Sequence, residues 1–517
     1  MGYSLIALKF GEDKRMKKTL AWILGFAMGA FSLLMSQTIF ISNKSRLNNK
    51  KNQFHRPIGL YQEQLYTLDF SNYQLETGFT VERYDAQLGF AESREIKVPN
   101  RHWVLKVFMS DSSLYWISVF RQKRGMVEVN QFSLPLSLKG EPKQQVMGSY
   151  DWGEIGERDM LVDYSVNRKK WSLAILYNSS SKGFQPSARV GFVIADIEGA
   201  YSYIDTVLDT KNSAFDLDWK SLEISNDGKV AACFFDDEKL EKTAIFSGKK
   251  QEQSEAFQWL MADKITIKQG QCEAVGNVRD AIVYCHPLSG NFYLGGYFQE
   301  SDSKGLDGSF VKSLDKNRDS LILIHWFSEN EQRSLMGSYS SKRPEKVQNF
   351  EIRELIPLDN QGWLLVGEQF YITRQMETYY VNGLPQNTTR QFYHYGNVGL
   401  NFLNVNVGSA DEPIDSVVVI SKNQVATNSG AQLFGFGMYV CGKSVNFIYN
   451  DNETESNRIM HIKINNKLEL ERGWLFRQES IMGEIIPDEG KQIDYCMFAV
   501  PVIRNKEWYW MQVLSDD

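Results

Sequence analysis

Histidine and cysteine are scarce in this 517-residue chain, and their scarcity removes the commonest metal and redox chemistries. The six histidines, at 55, 102, 286, 325, 394 and 461, fall on separate segments, and neither H-E-x-x-H nor C-x-x-C occurs, so zinc has no ligand set and no metal site is expected. His325, inside "LILIHWF", reads as a packed strand residue. The five cysteines (Cys233, Cys272, Cys285, Cys441 and Cys496) are odd in number and too thinly spread for a disulfide framework. Cys272 and Cys285 are close enough to bridge across a hairpin, and each serves equally well as a small buried apolar residue. G-x-S-x-G is absent, which removes the nucleophile elbow of a serine hydrolase. A net charge of -6 with dispersed basic residues supplies no cationic stripe, so nucleic acid is not an expected partner. No sequence feature calls for a cofactor. Only 12 prolines occur, and no Pro, Ser or Gly-rich linker divides the chain after about residue 60.

Long apolar runs are missing too, with one exception. From Met16 the chain reads "MKKTLAWILGFAMGAFSLLMSQ", two lysines followed by an apolar run and a polar break, the pattern of a secretory signal peptide. Residues 1–15 then read as a mis-assigned start and 16–37 as the signal. An uncleaved anchor is the competing reading, because the run approaches the roughly 20 residues that span a bilayer. Membrane attachment is expected only through such an anchor. Residues 38–60, with Lys44, Arg46, Lys50 and Lys51, read as a basic linker. The expected location is exported: periplasmic, outer-membrane associated or extracellular.

What the sequence does contain is aromatic and β-branched residue runs in quantity. "HWVLKVFMSD" with "SLYWISVFRQ", "WSLAILYN" with "ARVGFVIADI", and "NFYLGGYF" recur with turns between them, while few windows hold a helical period. "SNDGKV", Ser225 to Val230, has the turn chemistry of a hairpin. Four-strand spacing over residues 61–517 predicts an all-β fold, a β-propeller of about seven four-stranded blades, with six or eight possible. Its last strand is expected near Trp508 to Val513, closing the ring and hiding the sheet edges.

Two segments, "NFYLGGYFQESDSKGLDGSFVKSLDKN" and "GWLLVGEQFYITRQ…TRQFYHYGNVGLNFLNVN", resemble uncharacterised secreted β-propeller-like proteins of Bacteroidota. The matching residues are Gly296, Tyr297, Phe298, Gly308, Phe310, Asp315, Glu368, Gln369, Phe370, Tyr371, Tyr393, His394 and Tyr395. Gly396-Asn397 stand where that pattern continues with tyrosine and aspartate. The resemblance implies a propeller and an exported location, and no activity.

Candidate chemistry concentrates on one hairpin. Gly362 to Val405 reads as two long arms about Asn382-Gly383-Leu384-Pro385, dense in tyrosine. Glu368, Phe370, Tyr371, Tyr379, Tyr380, Tyr393, His394 and Tyr395 are the candidate binding residues, since tyrosines offer broad, stiff contact area with polar tips. The alternative is that these aromatics pair across the hairpin and cover a neighbouring blade. Glu368 follows the strand "WLLVG", where it reads either as a buried structural acid or as a channel carboxylate. "DKNRDS" begins like a calcium loop but carries Trp326 at position twelve, and "NDNETESN" reads as a solvated acidic loop. No catalytic residue is assigned. The expected role is a macromolecule-binding or scaffold module with a protein or glycan partner in the cell envelope. A surface glycan or peptide binder is the alternative, and a hydrolase or lyase in the propeller channel follows it.

Overall fold

The computed structural model describes residues 37–515 apart from 43–52, 72–77, 154, 180–186, 211–212, 237–255, 272–275, 301–304, 316–321, 338–346, 359–361, 382–383, 406–413, 428–432, 452–457, 466, 476–482 and 505–506. The segment read as a signal, up to Ser36, the "DKNRDS" loop beyond Asp315, most of "NDNETESN" and Cys272 therefore lie outside the described residues. The strands pair into eight antiparallel sheets in chain order, 53–97, 102–151, 160–207, 217–271, 277–326, 350–427, 437–474 and 484–515, here blades one to eight. The sheet count is eight, one of the two alternatives to seven. Blade seven fits four strands into residues 437–474, and compact blades of this kind leave room for the eighth.

Eight apolar clusters, one at each junction of consecutive blades, show that the sheets close on themselves. In the closing junction Leu65 and Tyr84 of blade one pack with Ala499 and Trp510 of blade eight. A blade is buried on both faces, which explains why its strands read as unbroken apolar runs rather than alternations. Within blade three, Leu173 and Ile175 face blade two while Ala174 and Leu176 face blade four. The outermost strand of blade eight is Gln37–Ile41, which pairs with Glu507–Ser515. The innermost strand of blade one is Gln53–Tyr61. The stretch read as a linker thus contributes strands to the ring, and the first and last described strands close it together.

Six of the eight innermost strands bulge. The ladder to the second strand slips between Pro57 and Gly59, Val104 and Lys106, Trp219 and Ser221, Val278 and Asp280, Ile352 and Glu354, and Gln492 and Asp494. A bulge turns one residue out of the ladder and sharpens the local twist, as narrow strands crowded around an axis require. It also aims polar groups at the next blade. Asp280 accepts a 2.7 Å hydrogen bond from the Ile352 amide, and the Ser221 hydroxyl accepts one of 2.7 Å from the Val283 amide.

The turn predicted at Ser225 to Val230 joins the first two strands of blade four, with Gly228 at φ +92°. Turns of this first-to-second kind lie on one face of the ring. Second-to-third connections and blade-to-blade connections lie on the other, together with the helix Glu329–Met336. That helix begins with a capping box between Ser328 and Glu331. His325 is packed as expected, with its Nε2 3.0 Å from Glu331 Oε1.

Among the described residues, Cys441 and Cys496 form a disulfide, with Cα atoms 4.4 Å apart, across the junction of blades seven and eight. Cys233 and Cys285 are free and buried. The pairing that sequence proximity suggested involves Cys272, whereas the bridge seen here joins residues 55 apart that the ring brings together.

Candidate functional site

Blade six differs from the others in its middle strands, Trp363–Val381 and Leu384–Val405, which stay in one ladder to the pair Val381 and Leu384. Their neighbours end much sooner. The inner strand Phe350–Pro357 accompanies the first arm only to Gln369, and Gln424–Thr427 accompanies the second only from Phe392 to Tyr395. Beyond both limits the arms have only each other among the described residues, from Arg374 opposite Gln391 to Val381 opposite Leu384, and project roughly 26 Å, eight residues at about 3.3 Å each. They leave from the face that carries the helix and the blade-to-blade connections.

Pairing across this ribbon sorts its side chains onto two faces. Tyr371, Thr373, Gln375, Glu377 and Tyr379 share one face with His394, Phe392, Arg390, Thr388 and Gln386. Tyr371 stacks on His394 at 4.4 Å, Thr373 Oγ1 lies 2.8 Å from His394 Nε2, and the Arg390 guanidinium lies over Phe392 and 3.5 Å from Glu377. Ile372, Arg374, Met376 and Thr378 line the other face opposite Tyr393, Gln391, Thr389 and Asn387. Met376 is 71% exposed, Leu384 69%, Ile372 47% and Tyr379 46%. Tyr380 stands opposite Pro385 in the register.

The base of the ribbon is a different environment. Tyr395 is buried against Ala426 and Phe434, and Phe370 and Tyr393 pack on them. Glu368 is wholly enclosed. Its Oε2 accepts from Arg353 Nη2 at 2.7 Å and Nε at 3.0 Å, while Oε1 meets the Lys422 ammonium. Lys422 sits among the rings of Tyr395, Phe436 and Tyr449 at 5.7, 5.6 and 5.9 Å. Burial pulls the Lys422 amine below its ordinary range, with Glu368 opposing the shift, and burial pushes nearby Asp488 up to about 6. Asn397 fixes the opposite side. Its Nδ2 donates to the Leu335 carbonyl at 2.9 Å, and its Oδ1 accepts from the Lys422 amide at 3.2 Å. The helix is thereby tied to the ribbon base.

The structure thus separates the eight residues singled out from sequence. Tyr371 and Tyr379 are exposed on the first arm, Tyr380 lies near its tip in register with Pro385, His394 is half-buried where the second arm still pairs with Gln424–Thr427, Phe370, Tyr393 and Tyr395 anchor the base, and Glu368 is the buried structural acid. Lys422 and Arg353, which hold that acid, were not evident from sequence. Arg353 is the residue turned out by the inner-strand bulge, and no short-range pattern reports such a displacement.

Inner strands also set charges around the channel. Lys106 Nζ lies 3.6 Å from Asp163, and Lys491 Nζ donates to the Tyr164 hydroxyl at 2.9 Å and to the Ile58 carbonyl at 3.2 Å. Burial would raise the Tyr164 phenol, but Lys491 and Lys106 outweigh it and leave it below its usual value. Desolvation by the surrounding strands, with the charges of Asp163 and Glu354 adding to it, raises Glu223 above the carboxylate range, while Glu354 itself remains exposed to solvent. Among the described residues no cluster of three His, Cys, Asp or Glu side chains is disposed to hold a metal ion, and no helix is long and apolar enough to cross a membrane.

No protein-family profile and no curated protein matches this chain. Similar solved structures include the WD40 domain of SCAP from fission yeast, at TM-score 0.39 and 10% identity over 93% of this chain and 98% of that one. The Cps50 (Swd1) β-propeller domain of Myceliophteria thermophila is similar at TM-score 0.34 and 9% identity over 92% and 99%. Synechocystis apocarotenoid oxygenase is similar at TM-score 0.32 and 8% identity over 72% and 74%. Likeness at this level transfers no function, and the eight-bladed ring rests on the strand pairing and the eight junctions described above.

Proposed function

We propose that this propeller is a protein-binding module whose docking element is the ribbon of blade six. The observation that carries the reading is the contrast along one hairpin, a rigidly anchored base and arms whose apolar side chains have no cover. A two-stranded ribbon alone in water is marginally stable, so arms of this length gain from a partner. The Tyr371–His394 stack is a pair rather than the row of flat rings that a glycan groove presents, which favours protein over glycan. An exported location is part of the proposal. It is supported by the signal-like segment, by the resemblance to secreted Bacteroidota propellers and by the Cys441–Cys496 bridge, since such bonds persist in oxidising compartments.

Replacing Met376 to Thr389 by Asn-Gly tests the reading. Gln375 and Arg390 face each other in register, so the short turn joins them without a slip. The variant is expected to fold with an unchanged melting temperature and to lose its partner in affinity purification from the native envelope. A folded variant that recovers the same partners at undiminished yield would remove the ribbon as docking element.

A further inference from the structure

The first arm of the ribbon has an open edge as well as open faces. Among the described residues, none pairs with its outer side over residues 371–381. Natural edges are blunted by charged side chains, above all lysine, by proline or by bulges. This one, "YITRQMETYYV", has no lysine, proline or bulge and carries Arg374 and Glu377 as its charges, whereas the second arm carries Pro385 near its tip.

Pro385 also reports which backbone groups point outward. A proline has no N–H to give, so within a two-stranded ribbon it occupies a pair whose amides face away from the partner strand. Its opposite number is Tyr380. The register runs without a slip from Phe370 to Val381, so Thr378, Met376, Arg374 and Ile372 follow at intervals of two and turn their N–H and C=O groups to the open edge. On one face of that edge, exposed Ile372 and Met376 flank Arg374. Arg374 has no ion pair among the described residues, while Glu377 on the opposite face is satisfied by Arg390.

We propose that the 371–381 edge receives an extended segment of a protein partner as an added β-strand, and that this segment presents an apolar residue, any residue, an Asp or Glu, any residue, and an apolar residue against Ile372, Arg374 and Met376. The backbone ladder supplies affinity, and the carboxylate opposite Arg374 between two apolar contacts supplies selection. This mode rests on the ribbon being the docking element.

A fluorescein-labelled peptide, Thr-Val-Thr-Glu-Thr-Ile-Thr, is the probe, with binding followed by anisotropy on the full chain. Met376→Pro deletes one outward N–H and leaves the ribbon's own ladder whole, and Met376→Thr removes the side chain alone. Arg374→Glu reverses the charge. The expected result is saturable binding, weakened about ten-fold or more by Met376→Pro and by Arg374→Glu and about three-fold or less by Met376→Thr. The Lys-for-Glu peptide should regain affinity for Arg374→Glu, and amide exchange should slow at 372–378 on binding. No binding at millimolar peptide overturns the proposal. So does equal binding by wild type and Met376→Pro. Concentration-dependent dimerisation that Met376→Pro abolishes would assign the edge to a second copy of the chain and overturn it likewise. If the native partner is lost on ribbon replacement yet kept by Met376→Pro, docking through the ribbon stands and strand addition falls.

Discussion

Glu368 and Lys422 are each almost without solvent, so neither charge is tolerable alone. Truncating one member of a buried pair typically costs about 3–5 kcal/mol because the other is left uncompensated, while an apolar pair of similar volume can restore the loss. Glu368→Ala should therefore destabilise by about that amount in urea unfolding, and Glu368→Leu with Lys422→Met should recover much of it. A single truncation costing under about 1 kcal/mol would contradict the assignment. A second buried acid makes stability depend on pH. Burial, with the charge of Glu82 adding to it, pushes Asp69 up to about 7, against an ordinary aspartate near 4. Between those values the folded state binds the extra proton, so this group's stabilising effect is complete below the lower pKa and is lost as pH rises through the upper one. Asp69→Asn cannot ionise. Its stability relative to the parent should rise from pH 4 to pH 8, by about 1–3 kcal/mol, and a constant difference across that range would refute the sign.

At the scale of elements, the long hairpin was legible because its turn is written in Asn382-Gly383-Leu384-Pro385 and its two arms are dense in tyrosine. Its division into anchored base and free arms was not legible. That division depends on where Phe350–Pro357 and Gln424–Thr427 stop pairing, and those strands lie far off in sequence. The same holds for Lys422, brought to Glu368 across 54 positions by the sheet. The Cys441–Cys496 bridge belongs to this class, since its partners meet only when blades seven and eight dock. Closing a loop of 55 residues restricts the unfolded chain by about 4 kcal/mol in the chain-entropy picture. Changing both cysteines to serine should lower stability by about 2–4 kcal/mol, measured by chemical denaturation, and should leave peptide or partner binding at the distant ribbon unaltered. Unchanged stability under oxidising conditions would mean that the bridge does not form in solution.

For the whole molecule, strand content and the propeller were readable because every blade repeats the same problem, a sheet buried on both faces. The closing arrangement was not readable, because Gln37–Ile41 completes a sheet made otherwise from residues 484–515 and nothing near it in sequence announces that destination. The closed ring has two unlike faces. One face carries short turns such as 286–290, and the other carries the helix and the ribbon. Recognition then belongs to the second face alone. The most direct test is site-specific photocrosslinking in the native host cell with benzoylphenylalanine at Met376 on the ribbon or at Leu288, 92% exposed on the opposite face. The account predicts a discrete crosslinked protein species from Met376 that is absent from Leu288, with the attachment mapping to an extended segment of the partner. The same species from both positions, or from Leu288 alone, would contradict it.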